Sequence, residues 1–325
     1  MTLEEAFKFA ASETEEGNLA NAESIYMQIL RQAPENKAAS LLLSQLQSRI
    51  SENSEFVAAE GNRSASDNGS YVACVLEATR SYKAFSVFKQ DPRFRRILEH
   101  ATKEQGEDYL AIVKRDSPDF ISHFNAFKEN DLVGGATTYD YPDVGKVSPS
   151  TLRYVKVASD LRKLFGDFIG ERVAEIGVGY GGQLLVADKV LSFTRYDLLD
   201  LPPVLALASK YLEAHILNCA YRTITINQHA GDIEYDLIVS NYAFSELPSK
   251  LQRKYVAKIL SKSKRGYLTM NSGKPDSKYT EDRLSLEELT ELLPGLEVID
   301  EMPLSRPGNC VIVWGSGRSR ARRER

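Results

Sequence analysis

Apolar residues recur at helical spacing near the start of the chain. Phe7, Phe9 and Ala10 share one helix, and Ala22, Ile25, Tyr26, Ile29 and Leu30 line a second, with a turn at Gly17–Asn18 and a stop at Pro34. A third helix is expected over Ala38–Ile50. Residues 51–70 carry few large apolar side chains and read as a linker. From Tyr71 to about Asn130 the helical period returns through Val75, Phe85, Phe88, Phe94, Leu98, Leu110 and Val113, with Asp91–Pro92 as a helix start. After a helix over Ser150–Leu164 the pattern changes to short buried runs separated by helices. Strands are predicted at 172–176, 193–199, 221–227, 235–240 and 265–270, with helices at 183–191, 204–217, 251–261 and 284–292. The last two strands, 296–299 and 310–314, have no helix between them and should be antiparallel neighbours. The expected fold is α/β: a Rossmann-like sheet of seven strands, the last pair antiparallel, behind an N-terminal helical region. The boundaries are a helical segment at 1–50, the linker at 51–70, a helical subdomain with a loop at 71–149, the sheet domain at 150–315 and a tail at 316–325.

The chemistry concentrates in RVAEIGVGYGG, Arg172 to Gly182. A strand runs into a turn whose glycines, Gly177, Gly179, Gly181 and Gly182, leave the backbone bare beside Tyr180, and a helix follows. Such a turn offers free N–H groups to a polar or anionic ligand. Gly177, Gly179 and Gly182 also spell the dinucleotide fingerprint. Glu175, inside the strand end, needs a donor, and the ammonium of S-adenosylmethionine (SAM) would supply one. At the end of the second strand, Asp200, beside Leu201, is placed to accept from both ribose hydroxyls; Asp197 is the nearer match by spacing. Gln228 and His229 close the third strand, where adenine is often met, and Asn241 closes the fourth.

The remaining composition narrows the setting. A net charge of −4 gives no general case for nucleic acid or membrane binding. Cys74, Cys219 and Cys310 lie far apart and show no metal-ligand spacing. The start of the chain has no signal-peptide core and no apolar run reaches spanning length, so a cytoplasmic protein without a membrane span is expected. The arginine-rich end reads as a solvated tail rather than a nucleic-acid contact.

Residues 131–157 mix glycines with Tyr139, Asp140, Tyr141, Asp143 and Arg153, a composition suited to a substrate lid and to sugars. Glu246, after the fourth strand, is the first candidate for a general base, with Asp143, Asp140 and His123 as rivals. Tyr242, Asn271 and Arg306 sit at strand ends and are expected at the substrate. No adjacent acid pair stands near the fourth and fifth strands, so no metal is expected.

About 145 residues follow the turn and end in two close strands. That ending, with acids before the turn and after the second strand, is the layout of a class I SAM methyltransferase rather than of a dehydrogenase. EIGVGYGGQ, YDLLDLPPVLALASKYL, YDLIVSNYAFSELP and RPGNCVIVWG resemble the bacterial putative sugar O-methyltransferase family over roughly residues 75–315. Leu247 stands where that family tends to have Met. The resemblance implies SAM as cofactor and a sugar, nucleotide-sugar or glycan as methyl acceptor. GNLANAESIYMQILRQAPENKAASLLL is similar to one tetratricopeptide repeat. One such unit cannot bury its own face, so it packs on the rest of the chain, pairs with a second copy or docks a protein partner. The alternatives are a non-catalytic module of the same fold and an NAD-dependent oxidoreductase.

Overall fold

The structure is a computed structural model and describes residues 3–15, 19–46, 69–278 and 281–316. The linker over 51–68, the turn at Gly17–Asn18 and the tail beyond 316 lie outside the described residues. The chain divides into two compact units, Met1–Asn62 and Arg63–Arg325.

In the first unit the helices Leu3–Glu15 and Leu19–Gln32 pair, and a further helix covers 37–46. Ala10 and Ala22 meet with Ile25, Tyr26 and Ile29 in a small apolar core, as the periodicity predicts.

The second unit is built on a seven-stranded sheet. A two-stranded hairpin, β1 (Tyr139–Tyr141) and β2 (Gly145–Val147), precedes it where the sequence suggests only a loop. The sheet strands are β3 (Arg172–Ile176), β4 (Arg195–Leu199), β5 (Ala220–Ile224), β6 (Leu237–Asn241), β7 (Gly266–Met270), β8 (Glu297–Asp300) and β9 (Cys310–Trp314). Their order is β5-β4-β3-β6-β7-β9-β8, with β9 antiparallel to both neighbours and the other pairs parallel. This is the order of the Rossmann-like class I methyltransferase sheet. The reversal between β3 and β6 opens a crevice at the carboxyl ends of the strands, where open α/β sheets bind ligands.

Central strands buried on both faces read as continuous apolar runs, and β7 is buried throughout. Alternate residues of β3 feed separate cores. Val173 joins the core under the helices Pro149–Phe165, Gly182–Ala187 and Pro202–Leu212. Ala174 and Ile176 join the one under Ser249–Lys258 and Leu286–Leu292. The helices of 69–131 do not form a separate subdomain. Tyr71, Val75, Phe88 and Phe94 share one core with Leu207 and Tyr211. Lys210 Nζ donates to the carbonyls of Ala78 (3.0 Å) and Thr79 (2.6 Å), placing a cation at the end of helix Gly69–Arg80.

Strand lengths differ from the periodicity for local reasons. The third strand stops at Ile224 because Gln228 Oε1 accepts from Thr225 N–H at 3.0 Å, withdrawing that donor from the ladder. Among the described residues no helix is long and apolar enough to cross a membrane.

Candidate functional site

The glycine turn lies at the carboxyl end of β3. Gly177 and Gly179 adopt positive φ, +78° and +56°. A Cβ on Gly177 would stand 1.9 Å from Ala243 Cβ, and one on Gly179 would stand 2.8 Å from Leu98 Cδ1. A side chain at Gly177 would collide with Ala243, and both positive φ values favour glycine, so the bare backbone is a requirement of the fold.

Two carboxylates flank this turn. Glu175 is buried and accepts from Tyr196 Oη at 3.0 Å. Burial, with a further push from Asp200, raises its carboxyl to about 8, against the opposing hydrogen bond from Tyr196. Asp200 sits at the end of β4. Its Oδ2 accepts from the N–H groups of Val178 (2.8 Å) and Gly179 (3.4 Å), and its Oδ1 from Leu201 N–H at 2.7 Å. Asp200 therefore shapes the turn directly, a role that spacing does not reveal. Asp197, the alternative by spacing, is fully buried and bound to Arg222 and Tyr235, the latter at 2.8 Å.

Asn241 ends β6 beside the turn. Its Nδ2 donates to Gln183 Oε1 at 3.3 Å, while its Oδ1 is buried without a hydrogen-bond partner. A buried acceptor left without a donor is costly and marks where a ligand donor fits. The next residue, Tyr242, takes φ +68°, a rare conformation for a bulky residue. Its backbone N–H donates to Thr269 O at 3.0 Å, and its phenol donates to Glu301. Beyond it, Asn271 Nδ2 donates to Glu246 Oε1 at 2.9 Å, and Asn271 Oδ1 lies 2.6 Å from Ser245 Oγ. Glu246 is part-buried, with Lys278 Nζ at 4.0 Å.

Positive charge gathers opposite these groups. Arg153 donates to Leu98 O at 3.4 Å and has no carboxylate within ion-pair distance among the described residues. His100 is exposed, yet partial desolvation by the surrounding walls pushes its imidazole down to about 4, helped by Arg153, Lys278 and Arg306. Arg153, Tyr242, Glu246, Asn271 and Arg306 thus share the carboxyl edge of the sheet.

Other expected residues stand elsewhere. Tyr180 is fully buried in the aromatic core with Phe88, Phe94, Tyr154 and Tyr211, so its ring supports the turn from below. His229 is fully buried, with Nδ1 accepting from Gly231 N–H at 2.9 Å. The neutral ring therefore carries its proton on Nε2, which lies 3.0 Å from Tyr235 Oη, and neither nitrogen is left for an adenine. Gln228 is exposed and spends its amide oxygen on Thr225. Asp143 is exposed on the hairpin turn and pairs with Lys114 at 2.6 Å. Tyr141 is buried and donates to Lys103 O at 3.2 Å. Tyr139 and Asp140 are exposed on the same hairpin, which stands along the helix Lys103–Asp116. His123 lies beside Asp119, whose partner Arg162 is near the far end of helix Pro149–Phe165, about 14 Å along the axis from Arg153. Tyr139, Asp140, Tyr141, Asp143 and His123 are thus not gathered at the glycine turn, and of the expected lid residues Arg153 stands near it.

Sequence reasoning missed Glu99, Glu301 and Ser305. Their significance comes from contacts across long sequence separations, for which local spacing carries no signal.

No family model and no curated protein matches the chain, so the tetratricopeptide likeness of the first helices has no support beyond their pairing. Solved structures do resemble it. SAM-bound CalS10, an amino pentose methyltransferase from Micromonospora echinaspora, is 15% identical over 50% of this chain and 89% of its own, with a TM-score of 0.37. The N-terminal domain of EvdMO1, in the presence of S-adenosylhomocysteine (SAH) and D-fucose, is 14% identical over 62% and 97%, with a TM-score of 0.40. A SAM-dependent methyltransferase from Clostridium acetobutylicum is 12% identical over 50% and 88%, with a TM-score of 0.36. At this distance they carry no chemistry to the chain; its fold is read from its own strand order.

Proposed function

We propose that the chain is a SAM-dependent O-methyltransferase acting on a hydroxyl of a sugar, nucleotide-sugar or glycan. The observation that carries the reading is the pair Glu175 and Asp200, set at adjacent strand ends on either side of a turn whose Gly177 has no room for a Cβ. Glu175 suits the ammonium of the donor and Asp200 its ribose, while the Gly177–Gly182 backbone, Leu201 and Asn241 complete the cradle. The antiparallel placement of β9 between β7 and β8 argues against an NAD-dependent oxidoreductase, whose sheet continues with parallel strands.

When bound, SAM supplies an electrophilic methyl group. Glu246 would take the proton of the acceptor hydroxyl, and Asn271 holds the Glu246 carboxylate in place. Tyr242 and Arg306 orient the acceptor from the neighbouring strand ends.

Incubation with methyl-labelled SAM and a panel of nucleotide sugars and glycans tests the proposal. Label should pass to a hydroxyl of at least one acceptor. Tight SAM binding without transfer to any would favour a non-catalytic module of the same fold.

A further inference from the structure

Two opposite charges stand near the glycine turn and do not pair with each other. Leu98 Cδ1 comes within 2.8 Å of where a Cβ on Gly179 would stand, so Leu98 packs on the turn. Arg153 holds the Leu98 carbonyl at 3.4 Å, which brings its guanidinium to the same place. Glu99 follows Leu98, and its Oε1 is buried without any hydrogen-bond partner. Burial raises its carboxyl, opposed by the field of Lys89, a hydrogen bond from Ser150, the field of Arg153 and a hydrogen bond from Tyr180, which leave Oε1 as the oxygen without a donor. Yet no ion pair joins Glu99 to either cation among the described residues. Lys89 is already satisfied. Its Nζ donates to the Asn130 carbonyl and lies over the Tyr180 and Tyr211 rings, 4.2 and 4.9 Å from their centroids. Asn241 Oδ1, at the β6 end of the turn, is a second buried acceptor without a donor.

A buried carboxylate oxygen without a donor and a guanidinium without a carboxylate are costly unless a ligand completes both. A ligand carrying an ammonium and a carboxylate on one carbon does so. We propose that Glu99, from the bend after helix Pro92–Arg95, and Arg153, from helix Pro149–Phe165, clamp the amino-acid end of the cofactor. Glu99 and Asn241 Oδ1 join Glu175 around the ammonium, and Arg153 takes the carboxylate. This rests on the SAM reading and moves Arg153 from the acceptor to the cofactor. It also gives the helices of 69–131 a ligand role, since the sheet alone offers Glu175 but no cation for the carboxylate.

Calorimetry with SAH and 5′-methylthioadenosine tests the clamp, because the second ligand keeps the adenosyl group and lacks the amino acid. Glu99→Gln and Arg153→Met should each weaken SAH by about tenfold or more. Each should leave 5′-methylthioadenosine within about twofold of the unaltered chain, which also shows that the pocket is folded. Unchanged SAH affinity in both variants overturns the clamp. Equal weakening of both ligands overturns it as well, since the residues would then act only through the fold. If the unaltered chain binds neither ligand, the SAM reading itself fails and the clamp falls with it.

Discussion

Tyr242 donates its phenol to the carboxylate of Glu301, 59 residues further along the chain. Glu301 is 5% exposed and also accepts from Ser305 N–H at 2.9 Å and Ser305 Oγ at 2.8 Å. The strained backbone of Tyr242 is held from its far end, by the loop between β8 and β9. Strain of this kind persists where the surroundings over-determine it, commonly beside a binding site.

Glu301→Gln should therefore cost about 1–3 kcal/mol of stability and Tyr242→Phe somewhat less. The double variant should fall short of the sum by about 0.5 kcal/mol or more. Urea titration of the three variants and the parent checks this; strict additivity would mean that the two side chains act separately.

Glu175 makes stability depend on pH. Its folded carboxyl is raised to about 8 from an ordinary 4.5, so the folded state holds a proton that the unfolded chain has released. The stabilisation is full below 4.5 and is lost as pH rises through about 8, at no more than about 1.4 kcal/mol per unit. Glu175→Gln removes this slope. Melting curves without ligand should show the variant gaining on the parent as pH rises from 5 to 8; a constant difference would contradict the raised carboxyl.

Asp200→Ala removes the acceptor for Val178, Gly179 and Leu201 N–H groups and the carboxylate proposed for the ribose. SAH and 5′-methylthioadenosine both carry that ribose, so both should weaken by roughly tenfold or more. Calorimetry showing either affinity intact would remove Asp200 from the pocket.

His229 belongs to a chain running through buried Tyr235 and Asp197 to Arg222 at the surface. Burial lowers its pKa, assisted by Arg222, so its contribution is present above about 6.5 and is lost as pH falls. His229→Gln should lower stability by about 1–3 kcal/mol at neutral pH, narrowing as the buffer is acidified, while SAH affinity is kept. A selective loss of SAH affinity would restore the adenine contact that the sequence position suggests.

Much of this molecule is legible residue by residue. The seven strands, the closing antiparallel pair and the glycine turn follow from apolar period, short connections and the absence of Cβ atoms, all local properties. Glu175 and Asp200 are found the same way, because an acid at a strand end beside such a turn is visible in a dozen residues. Folding decided what those acids touch. Asp200 braces the turn, His229 is drawn into a buried network with Asp197, and Asp143 is spent on Lys114. It also brought Leu98 over Gly179 and Glu301 behind Tyr242, pairings set by how the helical layer and the β8–β9 loop pack on the sheet. Side-chain partners 60 or 80 positions apart are chosen by that packing, and the period of a sequence does not encode it.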